Sequence, residues 1–284
     1  MKFKHILLGL LALLVVAGTI GFFHLADLRT EVAKQGGNED KARALIADMA
    51  KAHNIGAWDS ISTYRASFDD EFYGLVGKNG NPFPGNKGIF DLEYIPGSFD
   101  GRLTFTEGEI KGETWGIQSW KTYTSKNGSA PIFQQHNDAY FWLPTYQYFI
   151  EFPLRIQEAT AFSYAGTKVI DGINCEGVIA SWNDTAPQND IDQYLIWLDP
   201  DSKRIVKLEY TIREMYYFLT GAAYFKEYKQ FGDLMLPTYF PVESNIVSDG
   251  WLHKMRITDF IANPVPVAAL RPDGTMTATE SAKE

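Results

Sequence analysis

The sequence predicts a mainly β (α+β) protein: an antiparallel β half-barrel or strongly curved sheet with covering helices, preceded by an N-terminal transmembrane helix. Three observations predict it. Apolar and polar residues alternate with period two over much of the chain after Ser62, the mark of half-buried antiparallel strands. Strand follows strand through short turns, so a parallel βαβ sheet has no support. Finally, the 18 residues from Ile6 to Phe23 carry no charge.

That apolar run sets the address. Lys2 and Lys4 precede it and Asp27 follows it. A spanning helix needs roughly 20 apolar residues, and the positive flank keeps the N-terminus in the cytoplasm. Residues 1–27 are thus read as an inner (cytoplasmic) membrane anchor with the remainder in the periplasm or exterior. The alternative is a signal peptide cut after Val15-Val16-Ala17, which yields a secreted protein. Gly18 to Phe23 would then remain as an apolar stub, so the uncleaved anchor is preferred. No cysteine lies nearby to carry a lipid. Residues 28–37, ending in Gly36-Gly37, read as a linker. Beyond residue 27 the chain holds 24 basic and 34 acidic residues. That balance disfavours nucleic acid and anionic headgroups as partners.

The elements of the main domain, residues 38–264, follow in order. Asn38 is placed to cap a helix over 39–54, with Glu39 and Asp40 in its first turn and Ala42, Leu45, Ile46 and Met49 on one stripe. Phe90, Leu92 and Tyr94 alternate with Asp91 and Glu93. Leu103 and Phe105, then Trp115 and Ile117, continue the pattern. Tyr194, Ile196 and Leu198 form one strand, Asp199-Pro200-Asp201-Ser202 the turn, and Val206 to Ile212 the return. Segments 222–231, 234–247 and 251–261 repeat the alternation. Residues 265–284, rich in Ala, Thr and Pro, read as a flexible tail.

One segment breaks the pattern. Seven of the thirteen residues from Tyr140 to Phe152 are aromatic. Pro144 and Pro153 predict two short helices or a kinked one. Such a segment must lie on or in the sheet. It is either plain core or the wall of an apolar cavity. In the second case the candidate ligand-binding residues are Tyr140, Phe141, Trp142, Tyr146, Phe149 and Phe152, and the ligand is a lipid or other hydrophobic molecule.

Signals for chemistry are weak. No G-x-S-x-G, S-x-x-K or H-E-x-x-H occurs. Gly80 to Lys87 fails as a phosphate loop, because Asn86 separates Gly85 from Lys87 and two prolines remove amide donors. No two of the five histidines lie within four residues. His253, between Trp251 and Met255, reads as a satisfied strand histidine. Asp69-Asp70-Glu71 and Asp190 with Asp192 read as solvated acids. Single Cys175 excludes an intrachain disulfide framework and reads as inert. No catalytic residue, metal site or cofactor is assigned.

The order of elements resembles the LolA/LolB-like superfamily of outer-membrane lipoprotein carriers and receptors. An amphipathic helix leads into alternating strands, and a helical insertion interrupts them near the middle. Lys168 to Trp182 (KVIDGINCEGVIASW) then precedes the hairpin DQYLIWLDPDSKRIVKLEY, and Leu234-Met235-Leu236-Pro237 begins a late strand. The resemblance covers about residues 38–262. It implies an open half-barrel whose concave apolar face, covered by helices, holds acyl chains. This chain departs from that family in having an anchor and no N-terminal cysteine. The resemblance therefore implies the same cavity with a different task. Two alternatives stand beside it: an envelope hydrolase acting on lipid or glycan, and a ligand-free structural or interaction protein.

Overall fold

A computed structural model describes residues 24–247 and 250–276. The proposed membrane segment 6–23 lies outside the described residues. Among those described, no helix is long and apolar enough to cross a membrane.

Among the described residues, thirteen of fifteen strands form one antiparallel sheet. The first half of the chain supplies β1 (Tyr64–Phe72), β2 (Lys87–Tyr94), β3 (Gly101–Phe105), β4 (Glu113–Gln118), β5 (Lys121–Lys126) and β6 (Ile132–Phe133). The second half supplies β7 (Ala161–Ile170), β8 (Ile173–Ser181), β9 (Tyr194–Leu198), β10 (Ile205–Thr211) and β11 (Thr220–Tyr224). After it come β12 (Lys229–Phe231), β13 (Leu234–Leu236), β14 (Tyr239–Ser244) and β15 (His253–Ala262). The order is β6-β5-β4-β3-β2-β1-β15-β14-β11-β10-β9-β8-β7, with β12 and β13 a separate hairpin. β6 and β7 are the outer strands, so the sheet is curved but not closed.

The alternation explains the strands. On β1, Tyr64, Ala66, Phe68, Asp70 and Phe72 are buried and the residues between them are half-buried. Phe90, Leu92 and Tyr94 are likewise buried on β2, where Glu93 is buried as well. Among the described residues the α-helices are α1 (Glu31–Lys34), α2 (Glu39–Ala52), α3 (Gly74–Gly80) and α4 (Asn137–Arg155). On α2 the Asn38 side chain accepts from the amide of Lys41 at 2.8 Å, and Ala42, Leu45, Ile46 and Met49 are buried. This stripe covers β7 and β8.

Of the two forms expected for this segment, α4 is not two short helices. It is a single 19-residue helix with Pro144 and Pro153 inside it. Each proline costs about 3 kcal/mol in a helix interior. Burying a large apolar side chain returns about 1.5–3 kcal/mol, and Leu143, Tyr146, Phe149, Ile150 and Phe152 are all buried, so packing outweighs the breakers. Side chains also serve the helix carbonyls: Tyr94 Oη donates to Leu143 O (2.8 Å) and Thr145 Oγ1 to Phe141 O (2.7 Å). The start of α4 packs on β3, β4 and β5. Its later rings meet Tyr194, Tyr210 and Phe240 from the other half of the sheet. Strands so far apart in the order reach one helix because the sheet bends around it.

Of two segments read from sequence as loose, residues 28–37 and the described part of the tail, 265–276, make defined contacts. In the supposed linker, Thr30 Oγ1 donates to Ala165 O at 2.7 Å. Ala33 packs with Ile170, Cys175, Ile179, Leu195 and Trp197 in a second, smaller apolar cluster. Gly37 passes so close to β7 that an added Cβ would meet Tyr164 O at 2.1 Å. In the supposed tail, Leu270 is wholly buried. The guanidinium of Arg271 bonds Asp100 at 2.6 Å, and Gln118 exchanges hydrogen bonds with the Asp273 backbone. A single buried leucine and side-chain contacts of this kind leave no trace in composition.

Candidate functional site

A groove of about 440 Å³ lies between α4 and the concave face of the sheet. Phe141, Trp142, Thr145, Tyr148 and Phe149 of α4 form one wall. Tyr194 of β9, Leu208 and Tyr210 of β10 and Gly221 of β11 form the opposite one. Gly221 makes room there for the Tyr210 ring, which a Cβ would meet at 2.5 Å. At the mouth, Val76 of α3, Met215 of the β10–β11 loop and Ile246 of the β14–β15 loop are exposed. These connections lie together because they join the same ends of neighbouring strands. The chain enters the described region at this mouth, where Ala26 N donates to Tyr217 O at 2.9 Å.

The six candidate residues separate. Phe141, Trp142 and Phe149 line the groove. Tyr146 and Phe152 are fully buried in the core. Tyr140 is half-buried and packs on Trp120, with ring centroids 5.8 Å apart, outside the lining.

The face of α4 that carries Gln147, Glu151 and Arg155 fixes the helix. Glu151 accepts from Gln147 Nε2 (2.8 Å) and from the Gly97 amide (3.1 Å), and pairs with Arg155 at 2.9 Å. Arg155 also donates to Ser98 O at 2.7 Å and lies 4.0 Å from the centre of the Phe99 ring. The β2–β3 turn thereby holds the wall in place.

Beside the aromatic walls lies a polar group that sequence reasoning did not assemble. His253 Nδ1 lies 2.8 Å and 2.9 Å from the two Asp70 oxygens. Tyr146 Oη donates to Asp70 Oδ2 at 2.9 Å. Asp70 is wholly buried and His253 is 4% exposed, so neither is a solvated residue. The His253 ring stacks on Phe72 at 5.0 Å, meets Trp142 edge-on at 5.6 Å, and lines the groove. The signal was in the alternation, since Asp70 is in phase with Phe68 and Phe72. Asp192 also lines the groove. Its Oδ1 accepts from Thr211 Oγ1 (2.8 Å) and the Arg213 amide (2.9 Å), and burial pushes its carboxyl up. Burial likewise raises the Tyr210 phenol, with Asp70 and Asp192 adding to the shift. No group of three or more acidic, His or Cys residues among the described residues could hold a metal ion.

No family model matches this chain, and no curated protein does. Solved structures do. A DUF1329 family protein from Desulfovibrio piger is 9% identical over 80% of this chain and 95% of its own, with a TM-score of 0.50. A putative outer membrane lipoprotein-sorting protein domain from Vibrio parahaemolyticus is 12% identical over 83% and 98%, with a TM-score of 0.51. A LolA superfamily protein from Nitrosomonas europaea is 10% identical over 79% and 94%, with a TM-score of 0.49. At the level of fold, the resemblance of this chain to the LolA/LolB-like proteins holds.

Proposed function

We propose that this chain is a membrane-anchored envelope protein that binds a lipid or other apolar ligand in the groove against α4. In this reading the curved sheet serves as a half-barrel, and residues 6–23 hold the domain to the inner membrane. One observation carries the proposal: the groove is walled by aromatic side chains and has a volume of about 440 Å³. Small-molecule sites run from roughly 300 to 1,000 Å³ and are mostly apolar. The fold likeness to a lipoprotein-sorting domain agrees with it. The test is native mass spectrometry of the full chain extracted from membranes, with uptake of a neutral naphthylamine fluorophore as the second readout. Co-purified lipid or saturable uptake is expected. Phe149→Asp should abolish uptake while circular dichroism stays unchanged. A folded protein that is always empty and takes up no probe refutes the reading.

The hydrolase reading is favoured by one observation, the Asp70–His253 pair in the groove lining. A histidine oriented by a carboxylate is a suitable general base. Among the described residues no serine, threonine or cysteine bonds His253, so water would be the nucleophile. Turnover of long-chain p-nitrophenyl esters that disappears in His253→Gln would support this reading over simple binding.

A further inference from the structure

We propose that the groove selects a single-chain amphiphile whose polar end is cationic, an amine or quaternary ammonium, over one ending in a carboxylate or phosphate. This rests on the ligand-binding reading above and adds the charge of the ligand to it.

The lining sets the sign. Among the described residues it contains no lysine and no arginine. An anionic headgroup leaving water would find no guanidinium or ammonium to replace its hydration. Arg213, next to the lining residue Ile212, donates its guanidinium to the carbonyls of Ala26 and Tyr217. Lys207 is engaged by Glu243 on the other face of the sheet.

Acceptors are present instead. Both hydrogen bonds to the Asp192 carboxylate fall on Oδ1, and among the described residues no donor meets Oδ2. His253 spends Nδ1 on Asp70. With the proton on that nitrogen, Nε2 is left as an acceptor on a ring that lines the groove. The Asp70 carboxylate stands behind it, 2.8 Å from Nδ1. Aromatic rings supply the rest of the wall: Phe72, Trp142, Tyr148, Tyr194 and Tyr210. Ring faces attract cations and repel anions, and the effect grows where water is excluded. The carboxylates favour a cation and disfavour a fatty acid, and a ring face that meets the headgroup adds to the preference. A neutral alcohol lies between them.

The experiment compares three ligands with one tail: dodecyltrimethylammonium, dodecanol and dodecanoate, each below its micelle concentration. The full chain is held in phosphatidylcholine nanodiscs, with empty discs as the blank. Binding is read as the change in tryptophan emission, since Trp142 and Trp120 line the groove. The cation is expected to bind at least about tenfold more tightly than dodecanoate, with dodecanol between. Asp192→Asn should lower the affinity for the cation by about tenfold and leave dodecanol unchanged. Asp192→Glu, which keeps the charge, should keep the preference. Dodecanoate binding as tightly as the cation overturns the inference while the groove reading stands. Dodecanol binding as tightly as the cation, with no effect of Asp192→Asn, does the same. If none of the three binds, the groove reading fails and the inference fails with it.

Discussion

His53 shows how far one residue can be constrained by its surroundings. Its Nδ1 lies 3.2 Å from Met235 O and its Nε2 accepts from the Ile205 amide at 3.5 Å, the pattern of a neutral ring. Burial pushes its pKa down to about 4, and the charge of Arg204 acts in the same direction. The unfolded chain binds this proton near pH 6.5 and the folded chain does not. Stability contributed by His53 is therefore complete above about pH 6.5 and is lost as pH falls to 4, by about 3 kcal/mol. Urea midpoints at pH 7 and pH 4.5 measure this, and His53→Gln should flatten the difference. Asp70 is the second case. Asp70→Ala leaves Tyr146 Oη and His253 Nδ1 buried without a partner, and should lower unfolding stability by about 2–4 kcal/mol. Asp70 is in phase with Phe68 and Phe72, a signal that the reading of the acidic run as solvated passed over. Its partner was not legible, because His253 is 183 positions away and only sheet register brings the two together.

Among elements, α4 was legible as a dense aromatic helix that must meet the sheet. Which rings would line a void was not. The helix is apolar on several sides, so its sequence does not distinguish Phe149, on the groove, from Phe152, in the core. The curvature of the sheet makes that choice. The prolines do not divide the segment into two helices for a related reason, since local propensity is weaker than burial on both flanks. The buried Glu151–Arg155 pair is what keeps the wall in register with the β2–β3 turn. Glu151→Ala leaves Arg155, 4% exposed, without its counter-charge. A loss of about 3–5 kcal/mol is expected in chemical denaturation. Replacing both residues by apolar ones should cost much less, since the uncompensated charge is then absent.

At the scale of the whole molecule, strand alternation identified the fold class and the β9–β10 hairpin, because both are local. At the ends of the domain, composition does not show which residues pack. Leu270 is fully buried, and Arg271 pairs with Asp100 at the end of the β2–β3 turn. Ending the chain after Pro264 should lower the thermal midpoint by roughly 5–10 °C, given the usual cost of deleting a buried leucine and the scaling for a domain of this size. Differential scanning calorimetry of that truncation checks it, and an unchanged midpoint would show the segment to be dispensable.

The central strand also imposes a timetable. β1 pairs with β2 nearby and with β15 near the other end of the chain, where Phe72 faces His253 and Tyr64 faces Ala262. The six early strands join the rest of the sheet only through β15. During synthesis β1 has one bare edge until the last strand is made, and closing so long a loop is slow. Any polypeptide cut or stalled before His253 carries a row of unsatisfied backbone groups in the middle of its sheet, a template for pairing with other chains. Premature ends should therefore yield aggregates rather than a smaller soluble domain.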